Sequence, residues 1–571
     1  MLERLADERF DVLVVGGGIT GAGVALDAAS RGLRTALVER HDFASGTSSK
    51  SSKMVHGGLR YLQQHDFRLV YEALHERQRL LDNASHLVSP LPFLIPLFGR
   101  EGMVNRNVAR TYSTALWLYD LTGGLRIGKR HQRITRSAVE GHLPTLRTDH
   151  LAAGFLYFDA RADDARLTLS IVRTAALDFG AVAANYVEVT GLLHDSSGAV
   201  RGAKVRPTAP GPGKGRGGGN GGTASEIEVS ASVVVNATGV WADDIRALDE
   251  ATHPHSLRPA KGIHLSFPRS KIPADIAAVL PVRRDRRSIF MVPWPDGGDV
   301  YIGTTDTDFD GPLDDPLCTP EDVDYLIDAA SALLTTPVTR DDVTGIWAGL
   351  RPLLAPSNTG RAPSARTADL SRRHKVRVSP SGLVTVTGGK LTTYRRMAED
   401  TVDAAAGLLG STVPGVASKS VTARLAIRGS SDASRLEELG SAGAAKDSGV
   451  DEATWSCLIG RYGTEAPDVL ALAKGDTALL APLVEGLPHL RVEALWAVRH
   501  EMALTLDDLL ARRTRAVIRR AADTVCAAGE IAQLVAAELG MSTDDATSQA
   551  AAFAEATRRE WSAAGLDLSR P

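Results

Sequence analysis

Cysteine is scarce in this chain. Its 571 residues contain three, Cys318, Cys457 and Cys526, which lie far apart and lack the spacing of metal ligands. So few thiols argue against a disulfide framework and a cysteine-based metal site, and they are typical of a reducing compartment. We therefore expect a cytoplasmic protein without a bound metal.

Long apolar runs are absent as well. No stretch of 18 consecutive apolar residues occurs, so the sequence predicts no membrane-spanning helix. The residues before the first predicted strand, 1–9, are few and charged, and they lack the pattern of a signal peptide.

An excess of positive charge is also missing. Lys and Arg number 65 against 68 Asp and Glu, so composition implies no general attraction to nucleic acid. An anionic ligand would need local clusters of Arg and Lys instead. The hydrophobic fraction of 43% is typical of a globular protein, and the length suggests roughly two to four domains.

A glycine-rich turn stands near the start of the chain. An apolar strand at 12–15 leads into GGGITG at 16–21, a helical pattern from 22 to 31, and a second strand at 35–38 that ends on Glu39. This βαβ unit, with G-x-G-x-x-G and a later acid, is typical of dinucleotide binding. Gly18 would let the backbone approach a pyrophosphate, and Glu39 can accept hydrogen bonds from a ribose.

Beyond this unit, β segments alternate with a few helices. The strand at 233–239 returns the chain to the cofactor domain, and β segments between 261 and 305 predict a substrate-facing sheet. We interpret 347–353 as a compact turn with one buried Arg, and 383–392 as a strand followed by a glycine turn that opens a helix. From about residue 420 the periodicity is helical, which predicts a separate helical domain.

Two apolar segments, 90–98 and 107–121, allow two interpretations. They fit ordinary core between domains, which the sequence favours slightly. They also fit an exposed surface for a membrane or a quinone.

Several blocks follow one another in a recognisable order. They are GGGITGAGVALDAASRG, TSSKSSKMVHGGLRYL, VVNATGVWAD, YIGTTDTDF, GLRPL and TGGKLTTYR, with RHEMALTLDDLLARRTR in the helical tail. Together they resemble the FAD-dependent, respiratory glycerol-3-phosphate dehydrogenases, from about residue 10 into the tail.

The resemblance implies an α/β fold, α+β overall. A Rossmann-like FAD-binding domain, interleaved with a β-sheet substrate domain, would occupy 1–420, and an all-α domain 421–571. It also implies FAD as cofactor, oxidation of sn-glycerol 3-phosphate, and transfer of electrons to a membrane quinone. Because the sequence has no recognisable signal for a covalent His or Cys link, we expect the FAD to be bound non-covalently. We further expect a homodimer associated peripherally with the inner face of the cell membrane.

The proposed substrate carries a phosphate and a secondary alcohol, which call for cationic bidentate donors and a base. The catalytic candidates are His56, His264 and Arg351, and we prefer His56 to His264 as the base. The candidate substrate-binding residues are Arg60, Tyr61, Arg351, Arg366 and Lys390. The candidate cofactor-binding residues are Gly16, Gly18, Thr20, Gly21, Glu39, Arg40, Thr47, Ser48, Ser49, Ser52, Lys53, His56, Gly57, Ala237, Thr238, Gly239, Gly389, Lys390, Leu391 and Thr392.

Other functions remain open at this point. A glycerol-3-phosphate oxidase would share the first half-reaction and use oxygen as acceptor. Another flavin oxidase of the class would act on an amino acid or sarcosine. A non-catalytic protein could retain the flavin fold. The Arg-containing motifs and the helical tail argue against the other flavin oxidase. The joint presence of His56, Arg60, Arg351 and Lys390 argues against the non-catalytic protein.

Overall fold

The computed structural model describes residues 1–58, 66–99, 106–209, 211, 225–250, 252–282, 287–355, 373–410, 419–441 and 444–569. The strands are β1 (Phe10–Val15), β2 (Thr35–Val38), β3 (Met54–Val55), β4 (Val88–Phe98), β5 (Gln132–Thr135), β6 (Leu151–Ala162), β7 (Val182–Ala184), β8 (Val187–His194), β9 (Val200–Pro207), β10 (Ile227–Asn236), β11 (Leu257–Pro268), β12 (Ala277–Pro281), β13 (Ser288–Pro293), β14 (Asp299–Gly303), β15 (Thr307–Asp308), β16 (Gly345–Leu354), β17 (Lys375–Val378) and β18 (Val384–Thr387). The helices are α1 (Leu2–Asp7), α2 (Ile19–Ser30), α3 (Phe67–Asn83), α4 (Arg106–Leu121), α5 (Arg136–His142), α6 (Asp164–Leu177), α7 (Ala242–Glu250), α8 (Pro320–Ser331), α9 (Tyr394–Leu409), α10 (Ala433–Leu439), α11 (Glu452–Tyr462), α12 (Ala466–Ala471), α13 (Arg491–Glu501), α14 (Ala521–Ala536) and α15 (Thr543–Ala563).

The first sheet has the order β17-β18-β10-β1-β2-β7, with the β8–β9 hairpin joined to β10. The pairs β10–β1, β1–β2, β2–β7 and β10–β18 are parallel. Every residue of β1 is buried, as expected of a parallel strand covered on both faces. The helices α2, α6 and α9 pack in the same core, and they place the N-terminus of α2 at the carboxyl end of β1.

The second sheet has the order β15-β11-β14-β13-β12-β4-β6-β3, with β16 beside β11 and β5 beside β6. The long antiparallel pair β11–β16 runs from Leu257 opposite Leu354 to Ser266 opposite Gly345. This pairing sets His264 on one strand against Trp347 on the other. The sheet therefore presents residues of β11 and β16 toward the first sheet.

The interpretation of 347–353 as a compact turn is wrong, because these residues lie inside β16. Among the described strands, β16 pairs with β11 alone, so it is an edge strand. An edge strand tolerates Pro352, which has no N–H to donate to a second neighbour.

The interpretation of 90–98 as exposed apolar surface is also wrong. This segment forms most of β4, which lies between β6 and β12. Phe93 and Leu97 are 1% and 3% exposed. Within α4, by contrast, Trp117 is 44% and Leu121 is 71% exposed. Among the described residues of the two apolar segments, the large apolar side chains that are exposed, Trp117 and Leu121, belong to the second.

The chain from 433 to 563 is helical, as predicted, and helices α10 to α15 share one apolar core. The boundary at residue 420 stays a prediction. No helix in the described ranges is long and apolar enough to cross a bilayer.

Candidate functional site

A cavity of about 810 Å³ lies between the two sheets. Its volume falls within the range of roughly 300–1,000 Å³ that is common for small-molecule sites. Residues from β1, the start of α2, β11 and β16 all line it. It therefore joins the predicted dinucleotide turn to the predicted substrate sheet.

The glycine turn has the shape that a dinucleotide needs. Gly18 is the N-cap residue of α2, so the N-cap position itself supplies no side chain to the N-terminus of this helix. A Cβ on Gly21 would lie 1.8 Å from the carbonyl oxygen of Gly16, so helix and strand could not pack this closely with any other residue. Gly16, Gly18 and Thr20 line the cavity. The positive end of the helix therefore faces the space where a pyrophosphate would bind.

The loop after β2 wraps around this turn. Glu39 accepts hydrogen bonds from the backbone N–H of Gly17 at 2.7 Å and of His41 at 2.9 Å. Desolvation raises the pKa of Glu39, and these two N–H groups oppose that effect. Ser48 accepts a hydrogen bond from the N–H of Ile19 at 2.8 Å. The loop thus fixes Glu39 at the cavity wall, where a ribose could meet its carboxylate.

The imidazole of His264 is buried within the cavity wall. Its Nε2 lies 2.7 Å from Ser52 Oγ, and its ring stacks on Trp347 with centroids 4.7 Å apart. Its Nδ1 is buried without a hydrogen-bond partner among the described residues. Burial lowers the pKa of His264 well below 6.5, and the positive charges of Lys53 and Arg351 lower it further. The ring is therefore neutral, with one of its two nitrogens unprotonated.

The guanidinium of Arg351 lies at the cavity wall in a fixed orientation. Nη1 donates to Asp306 Oδ1 at 3.2 Å and Nη2 to Thr304 Oγ1 at 3.1 Å. Both nitrogens also contact backbone carbonyl oxygens, those of Lys261 at 3.4 Å and Thr305 at 3.1 Å. The side chain is 21% exposed, so it is partly desolvated and still reachable by a ligand.

The second glycine turn also lies at the cavity wall. Gly388 to Thr392 line the cavity and lead through a 3₁₀ turn, Leu391–Thr393, into α9. The hydroxyl of Thr392 accepts a hydrogen bond from the N–H of His56 at 3.2 Å, which joins this turn to the His56 segment. Two helical N-termini therefore point toward one cavity, as an anionic cofactor would require.

Most of the sequence-predicted site residues come together here. Those that line the cavity are Gly16, Gly18, Thr20, Glu39, Arg40, Thr47, Ser48, Ser52, His56, Ala237, Thr238, Gly239, His264, Arg351, Gly389, Lys390, Leu391 and Thr392. Four lie behind the wall instead, namely Gly21, Ser49, Lys53 and Gly57. Arg60, Tyr61 and Arg366 lie outside the described residues.

Lys53 is a cation that the sequence predicted to bind the cofactor, but it does not line the cavity. Its ammonium contacts Asp164 Oδ1 at 3.2 Å and the carbonyl oxygen of Ser49 at 3.2 Å. Burial lowers the pKa of Lys53 to about 8, and the nearby Arg515 adds to that effect. Its charge therefore faces a carboxylate inside the protein.

Three residues that support the site carried no role in the sequence interpretation, and two of them, Thr304 and Asp306, line the cavity. Thr304 and Asp306 hold Arg351, and Trp347 supports His264. The first two fall within the YIGTTDTDF block, so that block was the available signal. Trp347 could not be paired with His264 before the β11–β16 register was known.

Comparison with known proteins agrees with this geometry. A family model described as FAD dependent oxidoreductase matches residues 11–395, and one described as C-terminal domain of alpha-glycerophosphate oxidase matches residues 420–546. Glycerol-3-phosphate dehydrogenase 2 of Mycobacterium tuberculosis is 41% identical over 549 residues, covering 95% of this chain and 87% of that protein. The mitochondrial glycerol-3-phosphate dehydrogenase of Rattus norvegicus is 36% identical over 551 residues, covering 93% of this chain and 71% of that protein.

A solved structure extends the agreement to the fold. The glycerol-3-phosphate dehydrogenase of Bacillus halodurans, complexed with FAD, is similar with a TM-score of 0.74 and 31% identity, covering 98% of this chain and 96% of that chain. The predictions of the fold class and of an FAD-dependent oxidoreductase are thus confirmed. The chain belongs to the family of FAD-dependent glycerol-3-phosphate dehydrogenases.

Proposed function

We propose that this chain oxidises sn-glycerol 3-phosphate to dihydroxyacetone phosphate. The observation that carries the proposal is that one cavity joins the dinucleotide turn, the neutral His264 and the oriented guanidinium of Arg351. Relatives named for this reaction match nearly the whole chain, which supports the same substrate.

The proposed cofactor cradle follows the cavity wall. Gly16, Gly18 and Thr20 would hold the pyrophosphate, and Glu39 the ribose of the adenosine half. The remaining contacts would come from Arg40, Thr47, Ser48, Ser52, His56, Ala237, Thr238, Gly239, Gly389, Lys390, Leu391 and Thr392. Bound FAD supplies the acceptor for the hydride that leaves the substrate carbon.

Arg351 is the proposed phosphate ligand. A guanidinium is planar and permanently charged, so it can make a two-point contact with a phosphate whose oxygens replace some of its present acceptors, Asp306, Thr304 and two backbone carbonyl oxygens. Asp306 and Thr304 hold that plane, which reduces the entropy lost when the substrate binds. Lys390 lines the same cavity and would add positive charge, and Arg60, Tyr61 and Arg366 stay predictions as further ligands.

His264 is the proposed base for the substrate hydroxyl. Its neutral ring can take the proton, and the Ser52 hydroxyl at Nε2 would orient the ring. His56 lines the same cavity and stays the alternative base, and its backbone is joined to Thr392. The preference for His56 in the sequence rested on the two glycines that follow it and on Arg60 just after them, and neither feature defines the position of the imidazole ring.

A membrane quinone is the proposed electron acceptor. A quinone is lipid-soluble, so the protein would have to bind at the surface of a bilayer. The exposed Trp117 and Leu121 on α4 are the apolar side chains proposed for that contact. The cytoplasmic location at the inner face of the membrane and the homodimer stay predictions.

One assay tests the reaction and its acceptor together. We expect dihydroxyacetone phosphate to form from sn-glycerol 3-phosphate beyond one equivalent per flavin only when a soluble quinone analogue is supplied. Oxygen is the second candidate acceptor, because the matched C-terminal family model is described from an oxidase. Stoichiometric peroxide in air, without any quinone, would establish the oxidase instead. No product with either acceptor would contradict the proposed reaction.

A further inference from the structure

The tail block RHEMALTLDDLLARRTR occupies residues 499–515 and has no part in the site described so far. Part of it forms a π-helical turn, Asp508–Arg513. The two arginines of this turn, Arg512 and Arg513, are charged and nevertheless buried. No described residue that follows Met397 in the sequence lines the cavity, so this block does not contact the ligand space. These two arginine side chains contact the loop that follows β2 and carries Glu39 and Asp42, here called the cofactor loop. They approach this loop from the side that faces away from the cavity.

Asp42 is the point where the tail meets that loop. This carboxylate is fully buried, and Arg513 contacts it with two nitrogens, Nη1 at 2.7 Å and Nη2 at 2.9 Å. Arg512 Nε contacts it at 2.5 Å, and Asn185 Nδ2 at 3.2 Å. The two guanidinium groups hold the pKa of Asp42 below its usual value against the effect of burial. The pair Arg513–Asp42 therefore has the fork geometry of the strongest ion pairs, in a buried site.

The residues beside Asp42 contact the dinucleotide turn directly. His41 donates its N–H to Glu39, and Ala44 donates its N–H to the carbonyl oxygen of Gly17 at 3.1 Å. His41 is also held through its carbonyl oxygen by the N–H of Tyr186, whose hydroxyl donates to Asp508 at 2.7 Å. A shift of Asp42 would consequently move Glu39 and the turn around Gly17.

We propose that Arg513 is a positioning residue for FAD, which acts through Asp42 on the loop that presents Glu39. The docked tail then stabilises the shape of the adenosine pocket, and bound FAD in turn stabilises the docked tail, since linkage is reciprocal. This inference rests on the proposed placement of the adenosine half beside Glu39.

The chain offers a matched control for this inference. Arg461 is also largely buried and makes a two-nitrogen contact with one carboxylate, Glu493, at 2.7 and 2.6 Å. Both members of that pair belong to the helical tail. Arg461→Lys therefore perturbs the tail to a similar degree without a direct contact to the Asp42 loop.

The test measures FAD release from the full-length holoenzyme, as the gain of flavin fluorescence after dilution, with the melting temperature of each variant alongside. We expect Arg513→Lys to release FAD about tenfold faster, because an ammonium cannot make the fork contact. Arg461→Lys should release FAD within about twofold of the parent rate while its melting temperature falls comparably. Equal release rates in the two variants, or a parental rate in Arg513→Lys, would overturn the proposal.

Two further variants keep the test decisive. If Arg513→Lys does not fold, Asp42→Asn should show the same faster release, since it removes the charge at nearly constant volume, and a parental rate there would also overturn the proposal. Glu39→Gln tests the adenosine placement itself. Parental release in Glu39→Gln would contradict that placement, whereas fast release in Glu39→Gln with slow release in Arg513→Lys would contradict the role of Arg513 alone.

Discussion

At the scale of single residues, the site depends on side chains whose neighbours define their charge and orientation. Arg351 is held by Asp306 and Thr304, and His264 by Ser52 and Trp347. Neither relationship is visible in sequence spacing, because β11, β14 and β16 bring these residues together. The candidates themselves were identifiable from their motifs, but their partners were not.

Replacing Arg351 should affect phosphate binding more than folding. Losing a desolvated bidentate contact should cost on the order of 2–5 kcal/mol, or about 30- to several-thousand-fold in kcat/KM. Arg351→Lys should also be impaired, since an ammonium lacks the planar fork. Steady-state kinetics with glycerol 3-phosphate measures this, and Arg258→Lys is the control because its guanidinium pairs with Asp308 near the surface. An Arg351→Ala enzyme with parental kcat/KM would exclude Arg351 as the phosphate ligand.

Replacing His264 should slow proton removal and leave binding intact. We expect His264→Asn to reduce the rate of anaerobic flavin reduction by roughly 10²- to 10⁴-fold, the usual contribution of a general base. Titration with a non-reacting phosphate analogue should give a nearly unchanged Kd. The same measurements on His56→Ala separate the two candidates. Parental reduction in His264→Asn together with slow reduction in His56→Ala would assign the base to His56.

The lowered pKa of His264 predicts how the free energy of unfolding changes with pH. Because its pKa lies well below 6.5 in the folded protein, the ring stays neutral and flavin reduction should persist as the pH falls through 6.5. The unfolded chain takes up this proton near pH 6.5 and the folded chain does not, so the free energy of unfolding should fall below that pH. In His264→Asn this part of the pH dependence should disappear from denaturant titrations at pH 7.5 and 5.5. An unchanged pH dependence in the variant would show that His264 titrates normally.

At the scale of elements, the N-terminus of α2 is the feature most open to test. Gly16 has a φ of +104° and a Cβ there would lie 2.8 Å from the carbonyl oxygen of Ala237, so its replacement would strain the fold. Gly18 is the better position, since a Cβ there would meet only Ser48 Oγ, at 3.1 Å. The added side chain of Gly18→Val would occupy the proposed pyrophosphate site.

We expect purified Gly18→Val to retain less than about a tenth of the parental flavin absorbance, because the backbone could no longer approach the pyrophosphate. Gly407→Ala is the control, since a Cβ at Gly407 in α9 has no atom within 4 Å. Full flavin occupancy with a normal spectrum in Gly18→Val would show that the pyrophosphate lies elsewhere.

The exposed apolar residues of α4 give a second test at this scale. The double variant Trp117→Glu, Leu121→Glu should sediment with phosphatidylethanolamine–phosphatidylglycerol vesicles less than the parent, with the bound fraction lower by more than about half. The reason is that both substitutions remove exposed apolar surface from α4. Leu177→Glu is a matched control, because Leu177 is 59% exposed on α6. If the double variant sediments like the parent, α4 does not bind the membrane.

Elements differed in how well the sequence predicted them. The β1–α2–β2 unit was predictable because its strands, turn and helix are adjacent in the chain and each has a local signal. The apolar segment at 90–98 could not be assigned from its composition, since a buried central strand and an exposed apolar patch have similar sequences. The segment at 347–353 was missed because its strand state depends on pairing with the distant β11.

At the scale of the whole molecule, the cavity depends on three parts of the chain. The first sheet contributes the glycine turns, the second contributes His264 and Arg351, and the helical tail supports the cofactor loop from behind. The family explains why these parts occur together, and the contacts explain how each acts. The central claim is that this assembly removes a hydride from glycerol 3-phosphate.

The most direct measurement of that claim is anaerobic rapid mixing of the purified holoprotein with sn-glycerol 3-phosphate. We expect the oxidised flavin absorbance near roughly 450 nm to bleach in one turnover, with one dihydroxyacetone phosphate formed per flavin. Glycerol, which lacks the phosphate that Arg351 would bind, should bleach the flavin far more slowly. A flavin that stays oxidised with glycerol 3-phosphate, or that is bleached equally well by glycerol, would contradict the account.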